Sequence, residues 1–213
     1  MKIEFFHDTI CSFCFPMSAR MRKIANKYNN IEIIHRSFAL GWEAQDFIDF
    51  FGSRQAVTGE VISHWAEANK NDDESRFNIE GMRQTDFNFP ISKPALLAAK
   101  AAGIVGGEDM YWDVFDELQH KLFVENKNIE NIDVIEEAVK ETDISLPDWK
   151  VQFEMEETEE AVLDDFQLVK KYGVRVVPTL VVNGKHSISG ARSQEDIEEF
   201  LKKISDEEGI PLN

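Results

Sequence analysis

Strand patterns occur only at the two ends of this 213-residue chain. Residues 2–7 and 31–38 are rich in β-branched and aromatic residues, and residues 17–28 between them repeat their apolar positions at helical spacing. Residues 41–172 show helical patterns and no convincing strand, and strand signals return only at residues 174–189. Two strands joined through one helix predict a parallel pair with a right-handed crossover. The two ends must therefore meet to complete one sheet.

This order of elements predicts an α/β (α+β) protein with a helical segment inserted into its sheet domain. We expect a discontinuous core domain formed by residues 1–40 and 173–204, with residues 41–172 as an all-helical insertion leading back into the core. Residues 205–213 are expected to form a loose tail, since chain termini are often poorly ordered.

Local signals predict several boundaries within this plan. Ser92 is a candidate N-cap for an alanine-rich helix, and Gly103 is its expected end, before a further helix that starts near Glu108. The dipeptide Asn183-Gly184 is the strongest hairpin signal in the chain, because both residues tolerate a positive φ angle.

The only two cysteines of the chain, Cys11 and Cys14, lie where the first strand ends and the first helix begins. The first amides of a helix have no intrahelical partner and carry partial positive charge, so they stabilise a thiolate. Because the thiolate is the nucleophilic form, Cys11 is the predicted attacking cysteine. Cys14 follows one turn later, within reach to close a disulfide and resolve a reaction intermediate.

Two other interpretations apply to the same cysteine pair. Buried cysteines often serve only as small apolar residues, and a Cys-x-x-Cys pair can also form half of a zinc site. Two cysteines exclude a four-cysteine cluster within one chain, and no two of the five histidines have the spacing of zinc ligands. The sequence favours redox chemistry over metal binding, and we expect no metal site.

Charge and the start of the chain limit the partners that we expect. A formal net charge of −17 argues against binding to nucleic acid or to anionic membrane surfaces. The sequence from Met1 shows no secretory signal pattern and no apolar run of membrane-spanning length, so a cytoplasmic location is expected. In a reducing compartment a single disulfide is more often catalytic than structural. Expected partners are protein or small-molecule thiols and disulfides, for a monomer or a homodimer.

Several motifs together resemble a known family. These are the Cys-x-x-Cys pair at a helix start, the helical insertion, the run Gly173–Thr179, and Ser189-Gly190-Ala191 downstream. They resemble the DsbA branch of thioredoxin-like oxidoreductases, and most closely its FrnE-type cytoplasmic members. The resemblance implies a thioredoxin-like βαβ…ββα core with a large all-helical insertion. It also implies a protein dithiol–disulfide oxidoreductase with Cys11 as nucleophile and Cys14 as resolving cysteine.

The resemblance also assigns further roles around the cysteine pair. It implies a cis peptide bond before Pro178, placed against the cysteines so that the backbone of Val177 can pair with an extended substrate. Glu4 matches the family's buried acid and is a candidate proton relay. Apart from the resemblance, the position of His7 near a strand end makes it a second candidate for a proton relay. The substrate-binding residues implied in this way are Val177, Pro178, Ser12 and Phe13.

One departure from the family bears on its redox properties. Many relatives carry Pro-His or Pro-Trp between the cysteines, whereas this chain has Ser12-Phe13. Without that histidine the thiolate is less stabilised, so we expect a more negative reduction potential than in strongly oxidising members. No cofactor is expected beyond the Cys11–Cys14 disulfide, which can exchange with glutathione. Two alternatives remain: a glutathione-dependent isomerase or transferase of the same architecture, and a non-enzymatic redox sensor.

Overall fold

A computed structural model describes residues 1–213, and its four strands form one mixed sheet. The sheet order is β2-β1-β3-β4, with β1 parallel to β2 and the remaining pairs antiparallel. The strands are β1 (Lys2–His7), β2 (Glu32–Ser37), β3 (Thr179–Val182) and β4 (His186–Ser189). The parallel pair and the meeting of the two chain ends in one sheet are confirmed, as is the mixed α/β fold class with its thioredoxin-like core.

Nine helices complete the fold, and seven of them lie between β2 and β3 in chain order. They are α1 (Cys14–Lys27), α2 (Ala44–Phe51), α3 (Arg54–Asn71), α4 (Ile79–Arg83), α5 (Lys93–Phe123), α6 (Ile132–Lys140), α7 (Leu146–Phe153), α8 (Glu156–Tyr172) and α9 (Gln194–Glu208). None of the nine is both long enough and apolar enough to cross a lipid bilayer. The proposed division of the chain into two domains stays a prediction.

One face of the sheet packs against α1 and α9. Alternation along β1 places Ile3 and Phe5 on this face, where both are fully buried. Met21 of α1 and Leu201 of α9 join them in the same apolar cluster because each helix repeats its apolar residues every three or four positions. Each such side chain contributes about 1.5–3 kcal/mol when fully buried, so this layer fixes α1 firmly against β1.

The inserted helices build a second and larger apolar cluster around α5. Trp65, Phe77 and Phe123 form its aromatic centre, with ring centroids 4.9 Å apart for Trp65 and Phe123 and 5.1 Å apart for Phe77 and Phe123. Cys11 and Cys14 belong to this cluster and not to the sheet cluster that holds Met17, Met21 and Ile24 of α1. The cysteine end of α1 is therefore enclosed by the helical segment.

The predicted helix end at Gly103 is wrong, and the structure shows why glycine stands there. The helix continues to Gly107, whose φ of 82° and ψ of −174° interrupt it, and a second helical stretch follows within α5. A Cβ atom at Gly103 would lie 3.1 Å from the Cβ atom of Tyr111. Gly103 therefore allows the two halves of α5 to pack closely, and Gly107 makes the bend between them.

Other boundaries agree with the sequence or shift by a few residues. Asn183 and Gly184 both have positive φ angles, 51° and 69°, which confirms the hairpin turn between β3 and β4. The strand expected from residue 174 begins only at Thr179. At the C-terminus α9 continues to Glu208, beyond the expected start of the tail at residue 205, and the backbone N–H of Asn29 donates to the carbonyl of Asn213 (2.7 Å).

The bend in α5 can be tested with a matched pair of glycine substitutions. Gly107→Ala meets no neighbouring atom within 4 Å but forces alanine into backbone angles that glycine alone adopts readily, so we expect a loss of about 1–3 kcal/mol of unfolding free energy. Gly59→Ala, in the interior of α3 with equally open space, should instead stabilise by about 0.5–1 kcal/mol. Urea unfolding measures both, and equal effects would contradict the assigned backbone angles.

Candidate active site

The cysteine pair lies in two tight turns that lead from β1 into α1. The N–H of Cys11 donates to the carbonyl of Asp8 (3.1 Å), and the N–H of Cys14 donates to the carbonyl of Cys11 (3.0 Å). The helix begins at Cys14, and the N-cap residue is Phe13, whose side chain makes no capping hydrogen bond. Cys11 therefore lies just ahead of the positive end of α1, as the sequence predicts.

The two thiols differ in their burial and therefore in their chemistry. Both cysteines are unpaired thiols; Cys11 retains 5% of its exposure and Cys14 none. Burial raises the pKa of the Cys14 thiol well above its usual value, and contact with the Cys11 thiol raises it further. Cys14 therefore remains protonated at neutral pH, and Cys11 is the thiol that a substrate can reach.

The second half of the sheet meets the cysteine pair at Val177 and Pro178. The peptide bond between these two residues is cis, and the Sγ atom of Cys11 lies 3.6 Å from the carbonyl oxygen of Val177. Pro178 leads directly into β3, which pairs with β1, and its carbonyl accepts a hydrogen bond from the N–H of Gly190 (2.8 Å). Residues far apart in the sequence thus form one site around Cys11.

An apolar groove of about 390 Å³ opens beside Cys11. Eleven of its 13 lining residues are apolar, and Ser12 and His64 are the two polar ones. Its walls come from α2, α3 and the loops around the cysteines. The wall residues on the two helices are Phe47, Phe50 and Phe51 of α2 and Val57, Val61 and His64 of α3. The groove can hold an apolar group of a substrate next to the reacting sulfur.

The structure brings together some of the predicted site residues and separates others. Ser12, Phe13 and Val177 line the groove together with Cys11, whereas Pro178 contributes backbone beside it. Glu4 lies on β1 outside the groove, with its carboxylate 2.9 Å from the guanidinium of Arg36. Its role as a proton relay stays a prediction.

His7 is also outside the groove, fully buried at the end of β1. Its ring packs against Phe115 with a centroid distance of 3.8 Å, and its Nε2 atom lies 3.3 Å from Nδ1 of His35. Burial lowers the pKa of both histidines well below the usual value, with nearby cationic groups adding to the shift. Both rings are therefore neutral at pH 7, and a relay role for His7 stays a prediction.

A buried acid that sequence reasoning missed, Asp8, braces the loop before the cysteines. Its carboxylate accepts hydrogen bonds from the N–H of Leu40 (2.6 Å), the hydroxyl of Ser92 (2.7 Å) and the N–H of Ile10 (3.2 Å). Burial raises the pKa of this carboxyl to about 6 despite these bonds. An Asp shortly before a helix is typical of an N-cap, so no local sequence signal indicates the contacts with Leu40 and Ser92.

Replacing the buried acid should give a pH-dependent loss of stability. Asp8→Ala leaves several buried donors without an acceptor, so we expect about 2 kcal/mol lower unfolding free energy at pH 7. Because the folded-state pKa is raised, Asp8 binds a proton more readily in the folded than in the unfolded protein, and its contribution becomes more favourable as pH falls through 6. The loss should therefore grow by about 1 kcal/mol between pH 7 and pH 5.

Urea unfolding at the two pH values measures this difference, with the exposed Asp49→Ala as control. The control should change stability by no more than about 0.5 kcal/mol at either pH. A loss for Asp8→Ala that stays constant or shrinks towards pH 5 would contradict the assigned state of the Asp8 carboxyl.

These features define a class: a dithiol protein of the thioredoxin fold, with its cysteine pair at the start of the first helix and a helical segment inserted between the strands of its sheet. The family model for the DSBA-like thioredoxin domain matches residues 2–202. The chain belongs to this family, and it is an enzyme of the disulfide oxidoreductase class that the family represents. The narrower resemblance to FrnE-type members stays a prediction.

Known proteins similar to this chain include one adaptor and several redox proteins. The chain is 26% identical to the ClpXP adapter protein SpxH of Bacillus subtilis, in an alignment that covers 99% of this chain and 70% of SpxH. The structure of a candidate protein disulfide isomerase from Nitrosomonas europaea superposes with a TM-score of 0.77 at 16% identity, covering 97% of this chain and 98% of that one.

The cytosolic disulfide reductase DsbM from Pseudomonas aeruginosa, solved with GSH, gives a TM-score of 0.74 at 16% identity, covering 95% of this chain and 98% of DsbM. At such identities the likeness to the solved structures concerns the fold.

Proposed function

We propose that this protein is a thiol–disulfide oxidoreductase that exchanges disulfides through Cys11 as nucleophile and Cys14 as resolving cysteine. The single observation that carries the assignment is the unequal burial of the two touching thiols. Cys11 borders an open groove, whereas Cys14 is fully buried with a raised thiol pKa. A substrate sulfur therefore has access to the first cysteine and not to the second.

In the reducing direction the Cys11 thiolate attacks one sulfur of a substrate disulfide. A Cys11–substrate disulfide forms, and the other substrate sulfur departs as a thiolate. Cys14 then attacks the Sγ atom of Cys11, the Cys11–Cys14 disulfide forms, and the second substrate thiolate departs and takes up the proton from Cys14. The enzyme loses two electrons and the substrate gains them. The raised pKa of Cys14 makes the second step dependent on removal of its proton.

The oxidising direction reverses these steps, with a substrate thiolate attacking Cys11 of the disulfide form. We propose a cytoplasmic setting, supported by the likeness to the cytosolic reductase DsbM, in which the reducing direction dominates. The substrate is then a protein or small-molecule disulfide, and no cofactor is needed beyond the cysteine pair. DsbM was solved with GSH, so glutathione is the small-molecule thiol with which polypeptide substrates are to be compared.

Single cysteine substitutions test the two roles separately. Cys11→Ser should lower the rate of insulin disulfide reduction by at least about a hundredfold, because it removes the accessible nucleophile. Cys14→Ser should instead accumulate Cys11–substrate disulfides that non-reducing gels and mass spectrometry detect, since the resolving step is lost. Activity that survives in Cys11→Ser, or mixed disulfides that form through Cys14, would overturn the assignment.

A second candidate role is that of a protein adaptor. It rests on the 26% identity to SpxH over nearly the whole chain, together with strongly exposed apolar residues such as Phe50 at the groove. In this role the protein holds a partner without turning it over. Binding of a partner that survives in the Cys11→Ser, Cys14→Ser double variant would support an adaptor, whereas repeated turnover of a disulfide substrate by the unmodified protein supports the enzyme.

A further inference from the structure

We infer that the groove selects cysteine-containing polypeptide segments with a bulky apolar residue beside the reacting cysteine and a basic residue nearby, and that it disfavours glutathione. This inference rests on the proposed function, since it names the substrate class of the same site. It follows from the apolar lining of the groove and from the carboxylates on the two helices that wall it.

The lining of the groove offers a carboxylate no permanently charged cationic partner. No lysine or arginine is among the 13 lining residues. The nearby Arg54 is held by the carbonyl of Phe89 (2.7 Å) and the carboxylate of Glu130 (2.8 Å). Glutathione carries two carboxylates and no apolar side chain, so in this groove it would lose hydration without gaining an ion pair or apolar contact.

The apolar walls favour a different ligand. Phe50 is 79% exposed and Phe51 is 39% exposed, although both are large apolar residues at the mouth of the groove. Covering them with a leucine or phenylalanine side chain removes apolar surface from water on both partners, which yields about 25 cal/mol per Å². A peptide with such a residue next to its cysteine can place it there while its sulfur contacts Cys11.

The two helices that wall the groove carry carboxylates without a salt-bridge partner. On α3, Glu60 lies three residues after Val57 and four before His64, so helical spacing places it next to the lining residues. Glu60 has no salt-bridge partner, and α2 carries Asp46 and Asp49 but no basic residue. With a net charge of −17 for the whole chain, these carboxylates attract a basic peptide and repel anionic glutathione.

Oxidation of the reduced full-length protein by defined disulfides tests this inference. The substrates are oxidised glutathione and three disulfide-linked peptides. The peptides contain Cys-Phe-Lys, Cys-Phe-Asp and Cys-Ser-Lys, respectively. Stopped-flow fluorescence or rapid alkylation gives the rate constants. At low salt the Phe–Lys peptide should react at least about fivefold faster than its Asp counterpart, and faster still than glutathione.

Three variants separate the effects of residues at the groove from the effect of the net charge of the protein. Glu60→Lys should lower the preference for Lys over Asp peptides and accelerate reaction with oxidised glutathione by several-fold. Glu160→Lys on α8, outside the groove, changes the net charge equally and should leave the preference unaltered. Phe50→Ala should slow the Phe-containing peptides by about tenfold and bring their rates closer to that of the Ser peptide.

The possible results test the inferred substrate class separately from the proposed disulfide exchange. If glutathione reacts as fast as the Phe–Lys peptide, or if Glu60→Lys and Glu160→Lys act alike, the inferred substrate class is overturned while disulfide exchange stands. If no disulfide oxidises the Cys11–Cys14 pair, the proposed function fails, and the inferred substrate class fails with it.

Discussion

The antiparallel pairing of β1 with β3 is the interaction on which the site depends. It joins Phe5 to Leu180 and Phe6 to Thr179 across more than half of the chain, and so brings Cys11 to the carbonyl of Val177. The backbone bonds of this ladder are individually weak, but the buried residues on the same strands are packed by α1 and α9. The reactive sulfur thus stands on a rigid support built from both ends of the sequence.

The inserted helices contribute the other half of the environment. They bury Cys14, which keeps its thiol protonated, and α2 and α3 supply the apolar walls beside Cys11. Asp8 ties this arrangement together, because its carboxylate joins the loop before the cysteines to Leu40 and to Ser92 at the start of α5. The inserted helices therefore determine which sulfur reacts and which surface a substrate contacts beside it. The sheet determines the position of that sulfur.

The features that the sequence predicted correctly are those with local causes. Asn183-Gly184 forms its turn because both residues adopt positive φ angles, and strand and helix periods show directly which faces are buried. Gly103 was wrongly predicted to end a helix because its role depends on Tyr111, across the bend in α5. The role of Asp8 was not predicted because it depends on Leu40 and Ser92, which are distant in the sequence. The groove could not be predicted from the sequence either, because its walls come from separate segments.

The most direct test of the account is the mass of the peptide that contains both cysteines after mild oxidation of the substrate-free protein and alkylation of remaining thiols. The account predicts a peptide lighter by two hydrogen atoms and free of alkyl groups, with one intramolecular Cys11–Cys14 disulfide that dithiothreitol reverses. A peptide with both cysteines alkylated after oxidation, or cysteines joined only between separate chains, would contradict it.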